Sequence, residues 1–139
     1  MLRKLLVLFL LVPVASLAQY TEDQIRTVIG RVGGIESFIQ ELVRQTARNL
    51  PTRTNANVEI LSVAATGKQL MYVTRLLNVE RAAVYDMEAL KQANINYAGC
   101  RSPVLGLLIR EHGVKVSYSV IAKGTEFLFR YELDERVCY

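Results

Sequence analysis

Tryptophan is absent from this chain of 139 residues, histidine occurs once and cysteine twice. A lone histidine, His112, excludes the His clusters that most metal sites use. The two cysteines, Cys100 and Cys138, form no CxxC pair. Zinc, haem and calcium patterns are all missing. Gly33-Gly34 is no phosphate loop, because no Lys-Ser/Thr follows it and no evident strand precedes it. No cofactor is therefore expected. A concentrated basic stripe is lacking too. Arg44, Arg48 and Arg53 form a loose group beside Glu41, which reads as a solvated helix end and excludes a nucleic-acid partner. There is no low-complexity segment and no obvious linker.

What the chain does have is an address. Arg3 and Lys4 precede an apolar run from Leu5 to Val14, and Ser16-Leu17-Ala18 closes it. A charged start, an apolar middle and a small-x-small end are the layout of a secretory signal peptide. The run is shorter than the roughly 20 apolar residues of a spanning helix, so stable membrane insertion is not expected; a retained membrane anchor is the alternative. With no cysteine beside the cleavage site, a lipid on a mature N-terminal Cys is excluded. Residues 1–18 are read as the signal peptide and 19–139 as one domain, secreted or periplasmic in a bacterium. Removing 18 of 139 residues leaves 121, enough for a core of its own. The loss of Arg3 and Lys4 also lowers the formal charge from +4 to +2.

Export bears on the cysteines. An even count in an oxidising compartment favours a Cys100–Cys138 disulfide. Closing so long a loop stabilises a fold by roughly 3–4 kcal/mol in the chain-entropy model. Two free buried thiols are the competing reading.

Periodicity supplies the elements. Thr21-Glu22-Asp23-Gln24 reads as a capping box. Ile25, Val28, Ile29 and Val32 follow at helical spacing, and Ile35, Phe38, Ile39, Leu42 and Val43 resume it after Gly33-Gly34. This is either two helices broken at the glycines or one kinked helix, stopped by Pro51. Asn57 to Leu77 reads as a hairpin turning at Thr66-Gly67-Lys68. Glu80 to Tyr97 reads as a helix, with Ala83, Met87, Leu90 and Tyr97 on one face, Asn94 as a polar interruption and Gly99 as the stop. Ser102-Pro103 begins a short helix to Arg110 that ends near Gly113. A second hairpin follows. Val114, Val116, Tyr118 and Val120 alternate with Lys115, Ser117 and Ser119. After Lys123-Gly124-Thr125, Phe127, Phe129, Tyr131 and Leu133 alternate with Glu126, Arg130 and Glu132. The expected fold class is α+β: an antiparallel four-stranded sheet from two hairpins, with helices packed mainly on one face.

Candidate chemistry is sparse. Asp86 and Glu88 are two apart, which on a helix points them in different directions. Glu132, Asp134 and Glu135 read as a solvated tail. His112 reads as an exposed loop residue. The first hairpin, however, is apolar on both sides, which means cover on both sides. Either the N-terminal helices or a partner protein provides the second cover. Leu61, Val63, Met71 and Val73 are the candidate contact surface.

Several stretches resemble a small exported bacterial family described as quorum-sensing-regulated virulence factors. They are Leu50-Pro51-Thr52-Arg53 before a hairpin, Cys100-Arg101-Ser102-Pro103 leading to Gly113-Val114, the strand containing Tyr118, and the closing Cys138. That resemblance covers most of the mature chain. It implies a compact α/β fold and a link to secretion or virulence, and it brings no catalytic residues. The combined expectation is an exported, non-enzymatic protein that binds an unidentified protein partner. The alternatives are a small hydrolase around His112 and nearby acids, and a homodimer through the same hairpin face.

Overall fold

A computed structural model describes residues 20–97 and 102–138. The signal-peptide reading, the Gly99 stop and Cys100 fall outside the described residues.

The first helix, α1 (Glu22–Arg31), opens with the expected capping box. Gln24 N–H donates to Thr21 Oγ1 at 3.2 Å, and Thr21 N–H donates to Gln24 Oε1 at 2.9 Å. Gly33 and Gly34 adopt φ of 100° and 108°. A residue with a Cβ pays a steric penalty there, so these two positions end one helix and start another rather than kink a single one. The second helix, α2 (Ile35–Arg48), buries Phe38, Ile39 and Leu42 at helical spacing.

After a cis Leu50–Pro51 bond come a two-residue strand, β1 (Thr52–Arg53), then β2 (Val58–Thr66) and β3 (Gln69–Leu76). A 3₁₀ turn (Arg81–Ala83) precedes α3 (Met87–Tyr97), so the expected long helix is two elements. Asp86 separates them: its Oδ1 accepts from Ala89 N–H at 3.0 Å, the work of an N-terminal cap. Helix α4 (Pro103–His112) has Ser102 Oγ accepting from Leu105 N–H at 3.3 Å and proline in its first turn. Gly113 closes it at φ 65°, ψ 27°, the left-handed geometry of a helix stop. Strands β4 (Lys115–Ile121) and β5 (Phe127–Leu133) form the second hairpin. A four-residue helix, α5 (Glu135–Cys138), occupies what was expected to be a solvated tail. Asp134 starts it by accepting from Arg136 and Val137 N–H.

The sheet corrects the expected architecture. It has five strands in the order β1-β2-β3-β4-β5, and it is mixed. Each hairpin is antiparallel, as expected, but β3 and β4 run parallel. The reason is the connection. Parallel neighbours need a long crossover, and the 3₁₀ turn with α3 and α4 supplies one. The fifth strand, β1, was too short for any periodicity to announce.

Two bulges explain the irregular patterning of the hairpins. The β2–β3 register slips between Ile60 and Ser62, leaving Leu61 as the extra residue. Val58 and Ile60 before the slip, and Val63 and Ala65 after it, thus share one face although their numbers differ in parity. The β4–β5 register slips similarly, so Phe129, Tyr131 and Leu133 are buried while Phe127 turns to the other side and is 61% exposed. Leu70, Tyr72, Thr74 and Leu76 of β3 join Val116, Val120, Phe129, Tyr131 and Leu133 on the buried face. All of these but the polar Thr74 form one core cluster with Ile25, Val28, Phe38, Leu42, Leu105, Leu107 and Leu108 of the helices. Across that face Tyr72, Tyr118 and Tyr131 stand in one register row, with ring centroids 5.3 and 5.0 Å apart.

Candidate functional site

The opposite face of the sheet is the candidate site. Its composition follows from register. Glu59, Ser62, Ala64 and Thr66 of β2 stand beside Arg75, Val73, Met71 and Gln69 of β3. The latter stand beside Ile121, Ser119, Ser117 and Lys115 of β4. Beyond these are Phe127, Arg130 and Glu132 of β5. All three β5 residues are exposed, as are Ser62, Ala64 and Thr66, whereas Met71 and Val73 are half-buried by their neighbours. Met71 and Val73 sit on the central strand between small residues, Ala64 and Ser62 on one side and Ser117 and Ser119 on the other. The result is a shallow surface with an apolar centre and a charged margin. Glu59 and Arg75 are ion-paired at one end of it, while Arg130 and Glu132 stand at its β5 side.

The four residues expected to form a contact surface do not lie together. Met71 and Val73 are on the open face. Val63 is on the helix-covered face and packs against the core. Leu61 is the bulge residue. The bulge separates them, since it moves Val63 from the open face to the covered one. Ala64 takes the place that strict alternation gave Val63. Sequence reasoning missed Ala64, Ser62 and the Glu59–Arg75 pair. On the second hairpin Lys115, Ser117 and Ser119 do lie on this side of the sheet, where Lys115 is exposed, Ser119 half-buried and Ser117 buried.

Elsewhere the titratable groups are engaged in holding the fold. Arg26 of α1 ties to α4, its Nε donating to Glu111 at 3.0 and 3.1 Å, and it also pairs with Glu22 and Asp23 of its own helix. Arg110 reaches Glu22 at 2.8 Å. The Arg26 guanidinium holds the Glu111 carboxyl below the usual carboxylate range. Glu111, the acid beside His112, is thus the anchor of an interhelical ion-pair group. His112 is half-buried at the end of α4. Asp86 and Asp134 cap helices, and Glu88 and Glu135 are exposed. Arg44 pairs with Glu41, and Arg48 and Arg53 are exposed. Among the described residues no group of His, Cys, Asp and Glu could hold a metal ion, and no helix is long and apolar enough to cross a membrane. Cys138 is disulfide-bonded and packs at the margin of the core; its expected partner, Cys100, lies outside the described residues.

No family model and no curated protein matches the chain. Solved structures do match its fold. The type II secretion system pilotin AspS of Vibrio cholerae has a TM-score of 0.60 at 12% identity, over 81% of this chain and 97% of that one. The pilotin EpsS of the Vibrio vulnificus type 2 secretion system has a TM-score of 0.58 at 9% identity, over 80% and 94%. A candidate secreted protein of Pseudomonas aeruginosa has a TM-score of 0.56 at 12% identity, over 80% and 96%. The chain therefore shares an α+β fold, built on a five-stranded mixed sheet, with proteins of secretion systems and with one of secreted type.

Proposed function

We propose that this protein is an exported, non-enzymatic accessory of a secretion system that acts by binding another protein, in the manner of a pilotin. One observation carries the reading. The central strand of the sheet carries Met71 and Val73, half-buried and outside the core cluster, on one face, although its other face lies in a dense core. Apolar residues on an open, central sheet position are the composition of a contact site. The shared fold supports the class of partner, and the signal-peptide pattern supports the compartment. The family resemblance noted in the sequence adds an expected link to virulence, and the Cys100–Cys138 pairing remains part of the same proposal.

The contact surface is Met71, Val73 and Ala64, flanked by Ser62, Ser119 and Ile121. Affinity capture with the tagged protein from envelope and culture-medium fractions tests it. One stoichiometric partner from a secretion complex is expected. Met71→Lys and Val73→Lys should lose that partner while keeping the wild-type circular dichroism and melting temperature. Capture of no partner, or full capture by both variants, would overturn the proposal.

A further inference from the structure

One edge of the sheet is only half paired by its own chain. β1 supplies two residues, Thr52 beside Ile60 and Arg53 beside Glu59, and no described strand borders β2 beyond them. Backbone directions on this edge follow from two hydrogen bonds. Thr54 N–H donates to the Val58 carbonyl at 3.0 Å, so Val58 points its backbone groups outward. Leu77 N–H donates to the Asn57 carbonyl at 2.8 Å, so Asn57 points inward to β3. Outward residues then alternate, 58 and 60. The bulge at Leu61 shifts the phase by one residue, so Val63 and Ala65, paired with Tyr72 and Leu70, become the outward ones. Their two N–H and two C=O groups face away from the sheet. From Ser62 to Thr66 the strand carries neither charge nor proline, the devices that usually blunt an edge.

A groove reaches the end of this edge at Gly67, the residue after Thr66. Helix α2 packs along β2, and between it and the tip of the hairpin is a cavity of about 670 Å³. Val32, Glu36, Gln40, Val43 and Arg44 line one side and Gly67 the other. Glu41, also in the groove, is neutralised by Arg44. Glu36 makes no ion pair among the described residues and leaves the groove a net negative charge.

We infer that the free half of the β2 edge takes up an extended segment of a partner protein as an added strand, with a basic residue of that segment seated against Glu36. The inference rests on the protein-binding reading and specifies its mode. A row of strand N–H and C=O groups is complemented by another strand and not by a helix, and the groove's charge selects a cationic segment.

Amide hydrogen exchange by NMR on the full chain tests this. The probe is a synthetic peptide of alternating valine and threonine with a lysine at each end. In the free protein the Val63 and Ala65 amides should exchange quickly, while those of Ser62, Ala64 and Thr66 are protected by β3. The probe should slow Val63 and Ala65 by roughly tenfold or more. Ala65→Pro removes an outward N–H that β3 does not use and should abolish that protection. Glu36→Lys, an exposed helix substitution, should weaken the probe about tenfold, and a probe ending in glutamate should recover it. The Glu36 pair decides the matter if Ala65→Pro does not fold. Slow Val63 and Ala65 amides in the free protein would overturn the inference, as would protection unchanged by the probe or a probe indifferent to charge reversal. Native partner capture that survives Ala65→Pro and Glu36→Lys but fails in Met71→Lys would also overturn it, leaving the open-face reading intact. Probe binding with no native partner would uphold the edge and sink that reading instead.

Discussion

The two faces of β3 are made by alternate residues of one eight-residue strand, yet they meet different surroundings. Leu70, Tyr72, Thr74 and Leu76 enter the core under the helices. Met71, Val73 and Arg75 remain half-buried on the other side. Apolar residues occur on both faces, so their presence alone does not say which one folds the domain. Register does. Leu70, Tyr72 and Thr74 stand beside the large side chains of Val116, Tyr118 and Val120 on β4, whereas Met71 and Val73 stand beside the small Ser117 and Ser119. A large side chain beside large ones makes a core that helices can close over. Beside small polar ones it makes an accessible patch.

The largest break in that contrast comes from the covered face. Leu70 is fully buried, and Leu70→Ala should cost up to about 5 kcal/mol by urea denaturation. A loss under about 1 kcal/mol would show that the covered face is not the one that holds the fold. Next is the disulfide. Cys138 packs at the margin of the core, so Cys138→Ser should cost about 3–4 kcal/mol in the chain-entropy model and leave partner capture by the open face unchanged under non-reducing conditions. Lost capture in a folded Cys138→Ser protein would tie the two faces together.

Alkaline pH separates the faces next. Burial pushes the Tyr72, Tyr118 and Tyr131 hydroxyls well above their ordinary range of about 10. The folded state holds these protons more tightly than the unfolded state. Their contribution is therefore complete below pH about 10 and declines as pH rises above it. Each such tyrosine should add a slope of about 1.4 kcal/mol per pH unit. Tyr72→Phe should remove one such increment. Urea midpoints measured from pH about 8 upward, across the tyrosine range, read this slope.

How much of this was legible depends on how local the cause is. The capping box at Thr21, the glycine break and the Ser102–Gly113 helix were readable because each signal lies within a few residues. The alternation of β4 was readable for the same reason. The parallel β3–β4 pairing was not, because strand direction is set by a crossover more than thirty residues long, measured between Leu76 and Lys115. The contact surface was half legible. Met71 and Val73 follow from β3's own alternation, but the side taken by Val63 depends on a bulge, and no residue type in Ile60-Leu61-Ser62 marks one. Without the bulge, apolar residues on both parities look like a strand buried on both faces.

The smallest expected effect on stability is the sharpest test of the comparison. Met71 and Leu70 are adjacent, both unbranched at Cβ, and close in volume. Met71→Ala removes apolar area that is already partly in water, so its cost should stay under about 1 kcal/mol, well below that of Leu70→Ala. Its effect on capture should run the other way. A partner that covers the open face buries what Met71 presents, so truncation should raise the dissociation constant by roughly tenfold, while a folded Leu70 variant binds as wild type. Two neighbouring positions would then exchange rank between a denaturation curve and a binding isotherm. If Met71→Ala instead destabilises as much as Leu70→Ala, the second face is also core, and the patch on β3 is closed by the chain itself.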